Sequence, residues 1–279
     1  MITRSSFPVR TTCSVLEVST SAYYQWKNKS PSADVDAPVL AAIREIAQEF
    51  SRYGYKRMTK ELHRRGFAVN HKRVYRLMKE NALLVKRKRT SPQTTNSKHS
   101  FPRYANLAKE KVTTEKNQVW VADITYIHLR EEFVYLALIM DRHSRTIVGW
   151  DLSRNVDADL TLTALRNAVK VRGDVRGCIH HSDHGVQYLC KAYIQALQEL
   201  GMMPSMGEIG NSYDNAHAES LNKTIKNEEV WINEYETFEQ AFEAIANFVK
   251  KYNERRLHSS IGYMPPMEFE QQLNMEEVS

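Results

Sequence analysis

The hydrophobic positions change period along the chain, and the change divides it. From residue 38, Val39, Leu40, Ile43, Ile46, Ala47 and Phe50 fall on one helical stripe, with Pro38 suited to a first turn. A second helix is predicted over 56–65, burying Met58 and Leu62 and stopping at Gly66. Asn70 then reads as the N-cap of a third helix that turns Val74, Leu77 and Met78 inward. Before this unit, residues 13–26 read as two short helices joined at a Ser/Thr cluster, in which Tyr23, Tyr24 and Trp26 need cover.

Beyond residue 115 the pattern becomes that of strands. Residues 118–127, 133–141 and 146–152 read as three successive strands, followed by a helix over 159–171. A short strand at 178–182, a helix at 188–200 and a strand at 202–206 come next. A helix over 215–229 follows a glycine-containing loop at 207–213, expected to be a mobile flap. A last helix starts at Thr237, where Thr237 and Gln240 fit a capping box, and buries Phe238, Phe242, Ile245, Phe248, Val249 and Tyr252. This order predicts an α/β fold, a mixed sheet flanked by helices, preceded by a small all-helical domain. The domains expected are a helical segment 1–35, a helix-turn-helix-like unit 36–85, a basic linker 86–112, and a sheet domain with C-terminal helices 113–275.

Charge sharpens the division. Residues 1–110 hold 22 Lys and Arg against 8 Asp and Glu, whereas the remainder holds 17 against 25. A basic first part on an acidic body suits a module that grips a polyanion. The third helix carries Lys72, Arg73, Arg76 and Lys79 on its outer faces, as a recognition helix would, although a small bundle with a solvated basic face reads the same way. Lys86, Arg87, Lys88 and Arg89 follow in a polar, Pro-containing stretch fit for phosphate contacts. No run of apolar residues is long enough to span a membrane, and the three dispersed cysteines read as reduced thiols in the cytoplasm.

Three acids carry the candidate chemistry. Asp123 sits within a strand, where aspartate is disfavoured and must be solvated, paired or metal-bound. Asp183 ends a short apolar strand, and Glu219 lies early in a helix with Asn222, Lys223 and Lys226 on its face. Singly, Asp123 reads equally as the partner of a buried arginine, Asp183 as a turn cap and Glu219 as a surface residue. Together they make an oxygen-rich site for Mg²⁺ or Mn²⁺, and two such ions can drive an in-line displacement at phosphorus. Asp141 and Asp151 also stand at strand positions, and Asp214 reads as an N-cap. His180, His181, His184 and His217 lack the glutamate of a zinc-protease helix, and one of them is expected to contact DNA or orient a carboxylate.

Three blocks carry a resemblance: residues 120–126 around Asp123, 181–188 around Asp183 and 210–220 around Glu219. They look like the catalytic blocks of insertion-sequence transposases, most closely the second-frame (OrfB) proteins of the IS-three family in the retroviral-integrase superfamily. Thirty-five residues separate Asp183 from Glu219, the spacing of that superfamily's D,D(35)E motif. Residues 53–58, 71–78, 252–258 and 262–265 are also similar to the family. The departure at Ala122, where many relatives have threonine, points away from Asp123 on an alternating strand.

The resemblance implies an RNase H-like integrase core with Asp123, Asp183 and Glu219 as catalytic metal ligands. It implies DNA contacts by Lys223 and Lys226, with Asn215 and Asn222 beside them. The activity implied is metal-dependent DNA cleavage and strand transfer at element ends. The partners implied are double-stranded DNA, further copies of the chain on it, and a first-frame protein or fusion that supplies a second helix-turn-helix and a coiled coil. The place implied is the bacterial nucleoid. An RNase H-like nuclease that only hydrolyses, or a DNA-binding regulator using the first part alone, are the competing readings.

Overall fold

The computed structural model describes residues 8–27, 35–85, 104–207 and 212–276, and the basic run Lys86 to Arg89 lies outside them. The first segment forms α1 (Val9–Val15) and α2 (Thr20–Lys27), the two short helices expected. Tyr23 is buried, but Tyr24 and Trp26 stay exposed.

α3 (Ala37–Glu49), α4 (Tyr55–Arg64) and α5 (His71–Glu80) pack around Ile43, Ile46, Met58, Leu62, Val74 and Met78. Gly66, at φ +85°, turns the chain out of α4, a conformation that glycine adopts without steric cost. Asn70 caps α5 by accepting the Arg73 backbone N–H at 2.8 Å.

β1 (Val119–His128), β2 (Phe133–Asp141) and β3 (Ile147–Ser153) form an antiparallel meander. After α6 (Ala158–Arg172), β4 (Ile179–Ser182) pairs parallel with β1. The helix expected over 188–200 is two pieces, α7 (Val186–Leu189) and α8 (Lys191–Glu199), because Cys190 between them is extended. β5 (Met203–Met206) pairs parallel with β4, closing a five-stranded sheet of order β3-β2-β1-β4-β5.

A 3-10 turn (Ser212–Asn215) leads into α9 (Ala216–Ile225), which continues as a π-helical turn (Lys226–Val230) rather than as α-helix to residue 229. α10 (Phe238–Glu254) and α11 (Pro266–Glu276) complete the fold, and α11 is an element the sequence pattern did not suggest. Thr237 caps α10 by accepting the Gln240 N–H at 3.3 Å, while Gln240 Oε1 accepts the Glu236 N–H at 2.9 Å, one residue ahead of the cap.

Alternation along β1 sorts the helices into two layers. Val119, Val121 and Ile127 meet Leu221 and Ile225 of α9 and Ile245 and Val249 of α10 on one face. Trp120 and Ala122 meet Leu165 and Ala168 of α6 and Tyr193 and Leu197 of α8 on the other. The apolar burial expected of α10 stops short of Phe242, which is 40% exposed. It rests on Trp150 of β3, an edge strand, where one flank of the layer is open to water.

The chain's last segment ties the helical unit to the sheet domain. Leu257 enters the helical unit's core and donates its N–H to the Tyr53 hydroxyl at 2.7 Å. Arg64 of α4 grips Glu268 of α11 through both guanidinium nitrogens, at 3.0 and 2.6 Å. Among the described residues no helix is long and apolar enough to cross a membrane.

Candidate active site

The parallel register of β1 and β4 pairs Val119 with Ile179, Trp120 with His180 and Val121 with His181. β4 ends at Ser182, so Asp183 follows directly on the end of the strand paired with β1, close enough for its charge to act on Asp123. Asp123 shares the face of Val121, so it points toward α9. The early bend after Ser182 is closed by the Gly185 N–H, which donates to Asp183 Oδ1 at 3.0 Å. The turn-cap reading of Asp183 is thus realised, and its carboxyl group remains part-exposed beside Asp123.

α9 lies across this pair. Asn215, at its N-cap position, donates its side-chain amide to the Ala122 carbonyl at 3.0 Å and pins the helix start to β1. The N-cap expected of Asp214 is not formed, because the helix begins one residue later. Two turns on, Asn222 donates to Asp123 Oδ2 at 2.8 Å, while Asp123 Oδ1 accepts the Ile124 N–H at 2.9 Å. Glu219 accepts from Lys223 at 3.4 Å. Burial pushes the Asp123 carboxyl up to about 8, helped by the charges of Asp183 and Glu219 and opposed by the Ile124 and Asn222 hydrogen bonds. Among the described residues no three His, Cys, Asp or Glu side chains stand close enough to hold a metal ion in their present rotamers.

Lys226 stands over the Tyr126 ring, 4.2 Å from its centroid. Burial pulls its ammonium below the ordinary lysine value, and the Asp123 charge opposes that. Lys223 thus sits beside Glu219 on α9, and Lys226, half-buried on the π-helical turn, stands in the field of Asp123. The sequence reading missed Tyr126, and it missed Tyr188, whose buried hydroxyl has no hydrogen-bond partner among the described residues and feels both Asp123 and Asp183.

Two of the histidines serve the frame. His180 meets the Tyr193 hydroxyl at 2.9 Å under α8, and burial pushes its ring down to about 3. His181 takes Ser205 Oγ at Nδ1 (2.9 Å) and donates Nε2–H to the Asp214 carbonyl (3.1 Å), so it holds the approach to α9. His184 is buried, and His217 accepts from Arg145 at 2.6 Å. Asp141 is engaged elsewhere: its Oδ1 caps the β2–β3 turn by accepting the His143 and Ser144 N–H groups, and its Oδ2 accepts the Asn117 N–H ahead of β1. Asp151 lies on edge strand β3.

In the helical unit, Lys72 and Lys79 are exposed on α5. Arg73 and Arg76 are engaged within the chain, both on Asp36, at 2.7 and 2.6 Å. Arg76 also meets Glu80 at 3.0 Å. The second, basic station is thus assembled on one helix, away from the three acids in sequence but joined to their domain through Leu257 and α11.

Comparison with known proteins agrees with this architecture. Residues 113–212 and 200–266 each match a family model described as Integrase core domain, and residues 34–90 match one described as HTH-like domain. The chain is 36% identical over 263 residues to the insertion element IS600 uncharacterized 31 kDa protein of Shigella sonnei, covering 92% of this chain and 96% of that protein. It is 33% identical over 275 residues to the transposase for insertion sequence element IS629 of the same organism, covering 96% and 93%. A chain of the simian T-cell lymphotropic virus intasome in complex with PP2A regulatory subunit B56 gamma shares the fold, with a TM-score of 0.50, 14% identity, and coverage of 82% of this chain and 74% of that one.

Proposed function

We propose that this chain, which belongs to the insertion-element transposases with an integrase core domain, performs its DNA cutting and joining at Asp123, Asp183 and Glu219. The observation that supports the assignment is that Asp123 on β1 feels the charges of both Asp183, just past the end of the paired β4, and Glu219 on α9. These three residues would hold two divalent cations, Mg²⁺ or Mn²⁺. The donor set fits, because it is all oxygen and because the like charges that push Asp123 upward are those a cation would neutralise. Bound there, the ions would activate the attacking oxygen and stabilise the leaving one.

The chain's own residues do the rest. Asn222 fixes the rotamer of Asp123, and Glu219 swings from Lys223 toward the two aspartates. Lys223 and Lys226 then take phosphates of the DNA strand being cut. The α3–α5 unit holds the element's end, with Lys72, Lys79 and the arginines of α5 toward the duplex. Water attacks the phosphodiester at the element's end and frees a 3′-hydroxyl, and that hydroxyl attacks a second phosphodiester. Several copies act together on nucleoid DNA, with a first-frame protein or fusion as partner. The domains that divide this labour are 1–35, 36–85, the linker 86–112 and the catalytic part 113–275.

The test mixes purified protein, Mg²⁺ or Mn²⁺ and labelled duplex carrying the element's ends. Joined product is expected from the wild type and none from Asp123→Asn, Asp183→Asn or Glu219→Gln. Joined product in any of the three overturns the assignment, and hydrolysis without joining marks a nuclease instead.

A further inference from the structure

The seam between the α3–α5 unit and the sheet domain holds a cluster of cationic groups with too few acids. His258 lies in the fields of Arg256, Arg145, Arg57 and His217, which come from four separate parts of the chain. Arg256 is spoken for, bound to both carboxylate oxygens of Glu228 at 2.6 Å. Arg57 reaches the same carboxylate at only 3.9 Å. Arg145 has no carboxylate partner among the described residues, and Asp141, the acid near it, is already occupied by three backbone N–H groups. Glu228 is thus the carboxylate that Arg256 and Arg57 share, and Arg145 has only the occupied Asp141 near it.

Burial makes that imbalance costly. Arg57 and Arg145 each keep a buried Nε with no hydrogen-bond partner among the described residues. A desolvated cation without an anion or acceptor is unfavourable, and a buried donor left unpaired costs further. Arg145 is also held at φ +66°, where a non-glycine side chain is strained. The strained turn directs its guanidinium to His217, 2.6 Å away at the start of α9. His217 is exposed, so the cluster opens to solvent at that end.

We propose that this seam binds a backbone phosphate of the DNA, with Arg145 as the principal ligand, His217 and His258 beside it and Arg57 behind. The proposal rests on the functional reading above, and its geometry follows from it. Arg57 belongs to α4 of the helical unit, and His217 stands two residues before Glu219. A duplex gripped by the helical unit and cut beside Glu219 passes the seam between them. A phosphate there supplies the missing anion and takes the unpaired donors, and the helix dipole of α9, which starts beside His217, favours negative charge at that end.

The test measures binding of full-length protein to element-end duplex by fluorescence anisotropy across a salt series, with every variant built on Asp123→Asn to stop turnover. Arg145→Gln should weaken binding about three- to tenfold and lower the slope of log K against log salt by about 1. Arg145→Lys should keep the slope. Because Arg145 is part-buried, the exposed His217 supplies the second variant: His217→Glu puts a carboxylate against Arg145 and should cause the same loss. No change in either variant, or a loss confined to Arg145→Gln, overturns the proposal. Joined product retained by Asp123→Asn instead strikes the active-site assignment and leaves this binding comparison standing.

Discussion

Asn222 donates its side-chain amide to Asp123 Oδ2 at 2.8 Å and keeps its own Oδ1 buried without a partner. The bond crosses from α9 to β1, so it sets both the rotamer of the carboxylate and the distance of the helix that carries Glu219. Groups that orient ligating carboxylates typically matter by about 10- to 100-fold in metal affinity or activity. Asn222→Ala should therefore lower strand cleavage by about that factor and raise the Mg²⁺ concentration giving half-maximal rate. Binding of DNA without metal should stay within about twofold. Cleavage kinetics across a Mg²⁺ titration decide it, and wild-type kinetics would remove Asn222 from the site.

Asp36 holds the two arginines of α5 that point toward DNA in the proposed reading. It accepts from Arg76 at 2.6 Å and Arg73 at 2.7 Å, and those hydrogen bonds hold its carboxyl below the usual range. A phosphate competing for the same guanidiniums must displace it. Asp36→Asn should thus tighten binding to duplex severalfold at low salt and steepen the salt dependence. Replacing Lys72 and Lys79 by alanine should flatten the slope by about 2. Weaker binding by Asp36→Asn would mean that Asp36 positions α5 rather than masking it.

The sheet and the acids were legible because they rest on local pattern. β2 has the predicted bounds, since its apolar run ends at a turn, and Asp123 stood out because a carboxylate interrupts an alternating strand. The nearness of Asp123 to Asp183 needed the pairing of β1 with β4, which no single strand encodes. Arg145, Tyr188 and His258 were missed because what singles them out is contact between distant segments. α11 escaped notice for the same reason: Glu268 earns its place through Arg64, 204 residues away. The break at Cys190 carries neither glycine nor proline to announce it, and Phe242 looked like core until edge strand β3 left it partly uncovered.

The Arg256–Glu228 pair is the buried fastening of the seam, with side chains 3% and 14% exposed. Removing one partner leaves a charge in a poorly solvated place, which costs about 3–5 kcal/mol, whereas replacing both by apolar groups of similar volume is often close to neutral. Glu228→Gln should destabilise the protein by roughly that amount in urea unfolding. The double variant Glu228→Leu, Arg256→Met should recover most of the loss. Equal destabilisation of single and double variants would show that packing, not charge, holds the junction.

The same seam sets a pH dependence. Burial first, then the charges of Arg256, Arg145, Arg57 and His217, push the His258 ring down to about 3 from 6.5. Its near partners are the Ser260 hydroxyl at 2.9 Å and the Ser260 N–H at 3.3 Å, both on Nδ1 and both content with a neutral ring. On acidification the unfolded chain takes up this proton first, so the stability is fully present above pH 6.5 and drains away toward pH 3. At pH 5 the loss through this one ring is about 2 kcal/mol at most, from 1.36 kcal/mol per pH unit. His180 and His217 are also pushed down, so the wild type should lose more than this in total. The informative quantity is the difference: His258→Gln should fall less steeply than wild type between pH 7.5 and 5 in urea unfolding without DNA. Parallel curves would show that His258 takes up its proton equally in the folded and unfolded protein, and the field at the seam would then have to be weaker than its three guanidiniums imply.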